Sequence, residues 1–279
     1  MIDTHCHVQF NAYKDDREDV IKRCQEKGII LNAVGTQKDT SAAAVAIAEK
    51  FPFIYASIGL HPVHLFSTHI DEEESKFLSR EEDFNYDYYK NLGKSPKVIA
   101  IGECGLDLYR LPPEKSKEEV LAKQIKTFTA QYKLAQELNL PMVIHVREAH
   151  EEMIELLTSL SSKINAVVHC YTGNWRYAQK YLALGLNLGF TGVITFPPKK
   201  TAPEIQMSLL EVVEKCPLDR MLIETDAPYL APNMYRGKRC EPWMVEEVVK
   251  KIAEVKGLSV KEVATVTTQN AKNLFNKIS

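Results

Sequence analysis

The amino-acid sequence predicts a TIM barrel, in which eight parallel strands alternate with helices around a closed ring. The chain has 279 residues, and barrels of this class typically need about 250. Short runs rich in Val, Ile and Leu alternate with longer amphipathic stretches, as repeated strand–helix units do. With 45% hydrophobic and 26% charged residues, the chain has ample apolar surface for one large core. We therefore expect a single domain over residues 1–279.

Eight apolar segments account for the predicted strands. In chain order they are 1–7 (MIDTHCH), 30–36 (ILNAVGT), 53–61 (FIYASIGLH), 97–107 (KVIAIGECGLD), 141–147 (PMVIHVR), 165–173 (NAVVHCYTG), 186–196 (LNLGFTGVITF) and 220–228 (RMLIETDAP). An open, doubly wound sheet is built from similar units. Eight strands with a helix after nearly all of them favour the closed barrel.

Two of the intervening helices carry clear start signals. Ser116 and Glu119 have the spacing of a capping box, and so do Ser259 and Glu262. The first pair predicts a helix over 116–139. The second pair predicts the start of the last helix, which closes the outer layer.

The segment 65–95 is longer than a minimal loop between a strand and a helix. It contains an acidic run over 71–74 and the aromatic residues Phe84, Tyr86, Tyr88 and Tyr89. We expect a solvated helix with one packing face there.

Charge and composition exclude several classes of protein. The chain has 35 Lys and Arg against 37 Asp and Glu and a pI near 6.5, so any attraction for phosphate must be local. No apolar run approaches the roughly 18 residues of a membrane span, and no export signal precedes the first strand. Six widely spaced cysteines are typical of reduced thiols, so we expect a cytoplasmic protein without disulfides.

Residues that commonly bind metals stand at the carboxyl ends of most predicted strands. They are His5, His7, His61, Glu103, His145, His169, Glu224 and Asp226. A single buried histidine at a strand end is usually a hydrogen-bonded structural residue. So many polar groups at one end of a barrel are hard to explain by packing, because each would be costly to bury without a partner. The pattern therefore predicts an active site at this end, where barrel enzymes place theirs.

The number of these side chains predicts two metal ions. Four histidines and two carboxylates exceed the four ligands of one tetrahedral site, and a catalytic site must also keep a position open. We expect a first divalent ion on His5, His7 and Asp226 and a second on His145 and His169, with Glu103 bridging the two ions. A water between the ions would lose a proton near neutral pH and act as the nucleophile. Zinc, manganese and magnesium are all compatible ions, and their identity stays open.

Three cysteines lie next to these residues, but alternation along a strand argues against a thiolate site. Residues i and i+2 share a face, so His5 and His7 can bind one cation together. By the same rule Cys6, Cys104 and Cys170 point away from the metal side chains and toward the helices. We expect all three thiols to be structural.

Six short motifs occur in order at these strand ends. They are DTHCH at 3–7, GLHP at 59–62, IGECGLD at 101–107, PMVIHVREA at 141–149, HCYTG at 169–173 and ETDAPYLAP at 224–232. Over essentially the whole chain the pattern resembles the TatD family of metal-dependent hydrolases, within the amidohydrolase-like superfamily. The resemblance implies a divalent-metal-dependent deoxyribonuclease that cleaves phosphodiester bonds. Many superfamily members bridge two metals with a carboxylated lysine, whereas this chain has Glu103 at that position.

The resemblance also implies roles for residues near the ions. Asp226 would both bind a metal and orient or deprotonate the water, so with Glu103 and His61 it forms the predicted catalytic set. His61 would lie near the substrate phosphate, or would simply cap the turn before Pro62. Arg147 would neutralise a phosphate oxygen, or serve as a structural ion-pair partner.

Further candidates surround the site. Glu224 is expected to accept a hydrogen bond from a metal-binding histidine rather than to bind metal itself. Arg236, Lys238 and Arg239 form a basic cluster that we expect to contact backbone phosphates. Asp107, Arg110, Tyr171 and Arg236 occupy loops of the catalytic face and either touch substrate or serve in packing.

Three functions remain open from the sequence. The leading hypothesis is hydrolysis of DNA, without a membrane or an obligate protein partner. A second keeps the two-metal site but assigns it a small phosphoester or a lactone. A non-catalytic metal-binding scaffold is disfavoured because every expected ligand is retained. Exonuclease and endonuclease action, DNA and RNA preference, and the oligomeric state are not distinguished.

Overall fold

The computed structural model describes residues 1–67, 81–109, 111–160, 162 and 164–278. Within them, eight strands form one parallel sheet in the order β1 to β8. The strands are β1 Ile2–Cys6, β2 Ile30–Val34, β3 Ile54–Ile58, β4 Val98–Asp107, β5 Met142–Arg147, β6 Ala166–Val168, β7 Asn187–Phe190 and β8 Met221–Ile223. Each strand lies within a segment predicted to be a strand. The prediction of a TIM barrel is confirmed.

The ring closes where β1 meets the chain that follows β8. Cys6 forms a parallel bridge with Ala227. The Asp226 amide donates to the His5 carbonyl at 2.8 Å, and the His7 amide donates to the Ala227 carbonyl at 2.7 Å. These bonds bring the first and last polar motifs of the sequence to one side of the barrel.

Helices surround the sheet. In the described residues they are α1 Arg17–Glu26, α2 Lys38–Lys50, α3 Tyr86–Leu92, α4 Lys117–Leu138, α5 His150–Ser159, α6 Trp175–Ala183, α7 Pro203–Lys215, α8 Val245–Lys256 and α9 Val260–Leu274. Ser116 and Glu119 cap α4 reciprocally, as predicted. The Ser259 side chain accepts from the Glu262 amide at the start of α9. None of these described helices is long and apolar enough to cross a membrane.

The long segment after β3 contains one short helix, α3, in its described part. Tyr89 of α3 is fully buried and its ring stacks on Phe84 at 4.8 Å, which is the packing face we expected. The acidic run over 71–74 lies outside the described residues.

The strands are buried on both faces, as a barrel requires. A large apolar core joins the sheet to the helices. A smaller cluster, which includes Ile2, Val143, Phe275 and Ile278, fills the end of the barrel where the strands begin. The histidines and carboxylates of the predicted site lie toward the opposite end.

Candidate metal centre

The Glu103 carboxylate lies between two groups of histidines. Its Oε2 atom is 3.4 Å from His5 Nε2 and 3.9 Å from His7 Nε2. Its Oε1 atom is 2.9 Å from His169 Nε2 and 3.0 Å from His145 Nδ1. One buried side chain thus presents a different oxygen to each group.

The group on the Oε2 side also contains Asp226. His5 Nε2 and His7 Nε2 are 3.3 Å apart. Asp226 Oδ1 lies 3.3 Å from the His7 nitrogen and 3.6 Å from the His5 nitrogen. The structure therefore brings together the side chains predicted for the first metal.

Irregular strand pairing helps to aim two of these side chains. Between Asp3 and Cys6, β1 advances three residues while β2 advances two. Between Ile101 and Cys104, β4 likewise has one residue more than β5. Such bulges redirect side chains near active sites. His5 and Glu103 lie within these two irregular stretches.

Hydrogen bonds on the outer side of two histidines determine which nitrogen faces the centre with a lone pair. His7 Nδ1 is 2.7 Å from the Val34 carbonyl, to which it must donate, so in the neutral ring Nε2 carries the lone pair. His145 Nε2 is 3.0 Å from Asp107 Oδ2 and donates to it, which leaves Nδ1 toward Glu103. Sequence reasoning missed the Val34 carbonyl, because a backbone acceptor leaves no signal in residue type.

Glu224 approaches His169 from the side opposite Glu103. Its Oε1 atom is 3.4 Å from His169 Nδ1 and accepts a short bond from the Cys170 amide. Its Oε2 atom accepts from Thr4 Oγ1 at 3.4 Å. A Cβ on Gly189 would lie only 2.6 Å from this carboxylate, so glycine there leaves the room that Glu224 needs. Glu224 lies beside a histidine, which is the position that we expected for it, and not at the centre.

His61 both caps a turn and faces the centre. Its Nδ1 atom accepts from the Val63 amide at 3.2 Å, at the start of the short helix Pro62–Leu65. Its Nε2 atom lies 3.3 Å from Glu103 Oε1. Because Nδ1 is an acceptor, Nε2 carries the proton and donates. The two interpretations that the sequence left open for His61 are therefore compatible.

Asp3 is a positioning residue that sequence reasoning did not single out. It is fully buried and accepts from the Thr225 amide at 2.9 Å and from the Thr225 hydroxyl at 2.6 Å. The His5 amide also lies 3.3 Å from it. Asp3 thereby ties β1 to the residue before Asp226. Its spacing, two residues before His5, was the available signal.

The ionisation of the carboxylates suits cation binding. Burial opposes ionisation of Glu103, but the His169, His61 and His5 imidazoles hold its pKa well below the usual range. Burial also opposes ionisation of Asp226, yet the hydrogen bond from His7 and the charge of His5 lower its pKa. At Asp107 the bond from His145 outweighs burial and lowers the pKa to about 2. The Glu103 and Asp226 carboxylates thus present negative charge to one cavity, which favours binding of a cation there.

This cavity has a volume of about 460 Å³ and opens at the carboxyl ends of the strands. Its polar lining includes His7, Glu103, His145, His169 and Asp226 together with His61 and Arg147. An apolar wall is formed by Phe10, Val63, Val146, Val193, Tyr229 and Leu230. The volume is that of a site for part of a molecule such as one nucleotide, rather than for a duplex.

The residues of the predicted basic cluster have different surroundings. The two terminal nitrogens of Arg239 donate to the two carboxylate oxygens of Asp16, at 2.9 and 2.6 Å. The Asp16 carboxylate therefore balances the charge of this guanidinium. The Arg236 guanidinium lies over the Phe196 ring at 4.9 Å and does not line the cavity. The bidentate ion pair with Asp16 competes with phosphate for Arg239, and phosphate binding by the cluster stays a prediction.

The remaining loop candidates also have defined positions. Asp107 bonds to His145 and does not face the cavity opening. Tyr171 is buried, and its hydroxyl donates to the Asn174 carbonyl at 2.6 Å, so it serves in packing. Arg110 lies outside the described residues.

One of the three cysteine predictions is wrong. Cys6 and Cys104 pack in the large core, as alternation predicted. Cys170 instead lines the cavity, because β6 ends at Val168 and Cys170 has a left-handed backbone with φ 44°. Burial raises the pKa of its thiol to about 12, which disfavours a thiolate ligand.

The converging side chains fit divalent ions. Three sets of potential ligand atoms each lie within 4.8 Å of one another: His5, His7 and Glu103; His5, His169 and Asp226; and His61, Glu103 and His145. Imidazole and carboxylate ligands suit zinc, manganese, cobalt and iron. In the neutral rings the outer bonds of His7 and His145 leave a lone pair on the nitrogen that faces the centre, as metal ligation requires.

Comparison with known proteins decides the family. The family model for TatD-related DNases matches residues 2–276. The chain belongs to this family. An uncharacterized metal-dependent hydrolase, YabD of Bacillus subtilis, is 37% identical to it over 277 residues, covering 99% of this chain and 98% of the relative. The 3'-5' ssDNA/RNA exonuclease TatD of Erwinia amylovora is 36% identical over 284 residues, covering 99% of both chains.

Solved structures agree with the family assignment. The TatD homologue YjjV of Escherichia coli K12 superposes with a TM-score of 0.81 at 28% identity, covering 99% of this chain and 98% of its own. A TatD-family hydrolase of Entamoeba histolytica, at 22% identity, shares the fold with a TM-score of 0.79. The sequence-based predictions of the family and of the enzyme class, a metal-dependent hydrolase, are confirmed.

Proposed function

We propose that this TatD-family protein hydrolyses the phosphodiester bonds of DNA at single-stranded ends, with two divalent ions at the Glu103 centre. The proposal rests on the position of the Glu103 carboxylate, whose two oxygens lie near different histidines. Oε2 is 3.4 Å from His5, and Oε1 is 2.9 Å from His169. A shared carboxylate between two groups of ligands is the arrangement that a two-metal hydrolase needs.

The candidate ligands form two groups, one near each oxygen of this carboxylate. His5, His7 and Asp226 would hold one ion, His145 and His169 the other, and Glu103 would contact both. When bound, the two ions would supply an activated water and stabilise charge on the attacking and leaving oxygens.

The protein's own groups would handle the protons. The Asp226 side chain lines the cavity and is 17% exposed, against 5% for Glu103, so it is the better placed carboxylate to accept a proton from water. His61 carries its proton on Nε2, since Nδ1 accepts from Val63. That N–H would donate to a phosphoryl oxygen held beside Glu103.

Two observations favour an end of single-stranded DNA as the substrate. Relatives that are similar over the whole chain are named 3'-5' ssDNA/RNA exonucleases. The cavity of about 460 Å³, with apolar residues along one wall, suits one unpaired nucleotide better than a duplex. RNA is the natural second substrate to compare.

The test is cleavage of end-labelled oligonucleotides by the purified protein. Single-stranded DNA, single-stranded RNA and blunt duplex DNA are incubated with magnesium, manganese or zinc, and with a chelator. We expect stepwise shortening of single strands that the chelator abolishes and added metal restores. Asp226→Asn, prepared identically, controls for contaminating nucleases and should be inactive. No metal-dependent cleavage by wild-type protein with intact metal content would overturn the proposal.

A small phosphoester or a lactone is the second candidate for the same site. The size of the cavity is the observation that favours it, since a small molecule would also fill the volume of about 460 Å³. Turnover of small phosphodiesters and lactones, combined with no turnover of oligonucleotides, would select this candidate.

A further inference from the structure

Tyr109 and Arg147 form a stacked pair at the mouth of the cavity. Tyr109 follows β4 and is 50% exposed, which is unusual for a large aromatic residue. Arg147 ends β5, and its guanidinium carbon lies 3.8 Å from the centre of the Tyr109 ring. The guanidinium therefore lies against one face of the exposed ring, beside the cavity that Arg147 lines.

Within the part of the chain that the structure describes, Arg147 has no ion-pair partner. Among the described residues, no carboxylate oxygen lies within 4.0 Å of its guanidinium, as the ion pairs of the described chain show. The side chain is exposed and lines the cavity. Its planar face is thus directed by the Tyr109 ring rather than by an acidic partner.

The pair is held at a constant distance from the metal centre. The Tyr109 amide donates to Asp107 Oδ1 at 2.9 Å, while Asp107 Oδ2 bonds to His145 at 3.0 Å. The Leu108 amide donates to the Arg147 carbonyl at 2.9 Å. One carboxylate therefore positions both a candidate metal ligand and the backbone that carries the aromatic ring.

We infer that the Tyr109–Arg147 pair binds one unpaired base of the substrate strand by stacking, an inference that rests on the proposed function. Aromatic rings and guanidinium planes both stack on nucleobases, whatever the base sequence. In a duplex each base is already stacked between its neighbours and is not available. The pair therefore selects single strands, tolerates any sequence, and recognises the base rather than the phosphate.

The experiment compares oligonucleotides that differ by one base. Each single strand carries one abasic residue, placed in turn at the three positions nearest the labelled end, and kcat/KM is measured against the intact strand. With wild-type protein, one position should show a preference for the base of about 10-fold. The variant Tyr109→Leu should bring that ratio close to 1, and Tyr109→Phe should keep it.

Two further variants separate stacking from other effects. Arg147→Lys keeps the charge but loses the plane, so it should lower the base preference as Tyr109→Leu does. Tyr86→Leu is the matched control. Its hydroxyl bonds to Glu137 in the last turn of α4, at the opposite end of the barrel, and its ratio should match wild type.

The outcomes distinguish the two proposals. If wild-type protein cleaves single strands but Tyr109→Leu keeps the full base preference, the inference is wrong and the proposed function stands. The inference is also wrong if Arg147→Lys slows intact and abasic strands equally, since Arg147 would then bind phosphate. If the wild type cleaves no oligonucleotide, the proposed function itself fails. Thermal unfolding of each variant confirms that it is folded.

Discussion

Asp107 Oδ2 lies 3.0 Å from His145 Nε2, and this contact turns the other ring nitrogen, Nδ1, toward Glu103 at 3.0 Å. A carboxylate behind a metal-binding histidine fixes its tautomer and raises its basicity. Asp107 is therefore expected to control the second metal without touching it.

Replacing Asp107 by alanine tests this role. We expect Asp107→Ala to lower the affinity for the ion on His145 and His169 by about 10-fold to 100-fold. The affinity for the ion on His5 and His7 should be unchanged. Calorimetric titration of metal into chelator-treated protein measures both affinities. Asp219→Ala, an exposed carboxylate just before β8, is the control. Two unchanged affinities in Asp107→Ala would contradict the assignment.

His61 is expected to act on the substrate rather than on metal. Because its Nδ1 accepts from the Val63 amide at 3.2 Å, its Nε2 has no lone pair for an ion. His61→Ala should keep the wild-type metal content while kcat falls by about 100-fold. Elemental analysis and steady-state kinetics on the same sample give both values. Loss of an ion from His61→Ala would show that His61 is a ligand.

Gly189 should be coupled energetically to Glu224. A methyl group at Gly189 would lie 2.6 Å from the Glu224 carboxylate, which is fully buried and is held by bonds from Thr4 and the Cys170 amide. Gly189→Ala should lower the free energy of unfolding by about 2 kcal/mol. In a Glu224→Ala background the same change should cost less than about 1 kcal/mol, because the clash is removed. Equal costs in both backgrounds, measured by urea unfolding, would show that Glu224 is not the obstacle.

His150 should make stability depend on pH. It packs against Tyr177 and Tyr181, and burial, assisted by the charge of His145, lowers its pKa from 6.5 to about 4. The unfolded state then binds more protons between pH 6.5 and 4, so this contribution to stability is complete above pH 6.5 and declines as pH falls.

The matching variant is His150→Phe. Between pH 7 and 5, wild-type protein should lose about 2 kcal/mol more unfolding free energy than His150→Phe does. Urea unfolding with chelator present at both pH values measures this difference while excluding effects of metal release. Parallel pH profiles for the two proteins would show that His150 titrates normally.

The sequence predicted the barrel and the site for different reasons. Buried parallel strands must be continuously apolar, so segments such as β4 and β5 stand out from amphipathic helices. The histidines and carboxylates stand out because polar side chains at strand ends interrupt that pattern. Glu103 is predicted as the bridge from its two oxygens on a central strand, and that role stays a prediction.

Other features depend on contacts between distant parts of the chain and could not be predicted. The Val34 carbonyl bonds to His7, and Asp3 bonds to Thr225, only once the ring is closed. Cys170 was misplaced because alternation along a strand stops where β6 ends and the backbone turns left-handed. The sequence does not reveal an ion-pair partner for Arg239, whereas in the structure it is paired with Asp16.

The central claim is that Glu103 bridges two ions which together hydrolyse the substrate. The most direct test is elemental analysis of fully active protein alongside His7→Ala and His145→Ala. We predict two ions per wild-type chain and one tightly bound ion in each variant, with kcat lost in both. A single ion per chain in fully active wild-type protein would contradict the two-metal centre.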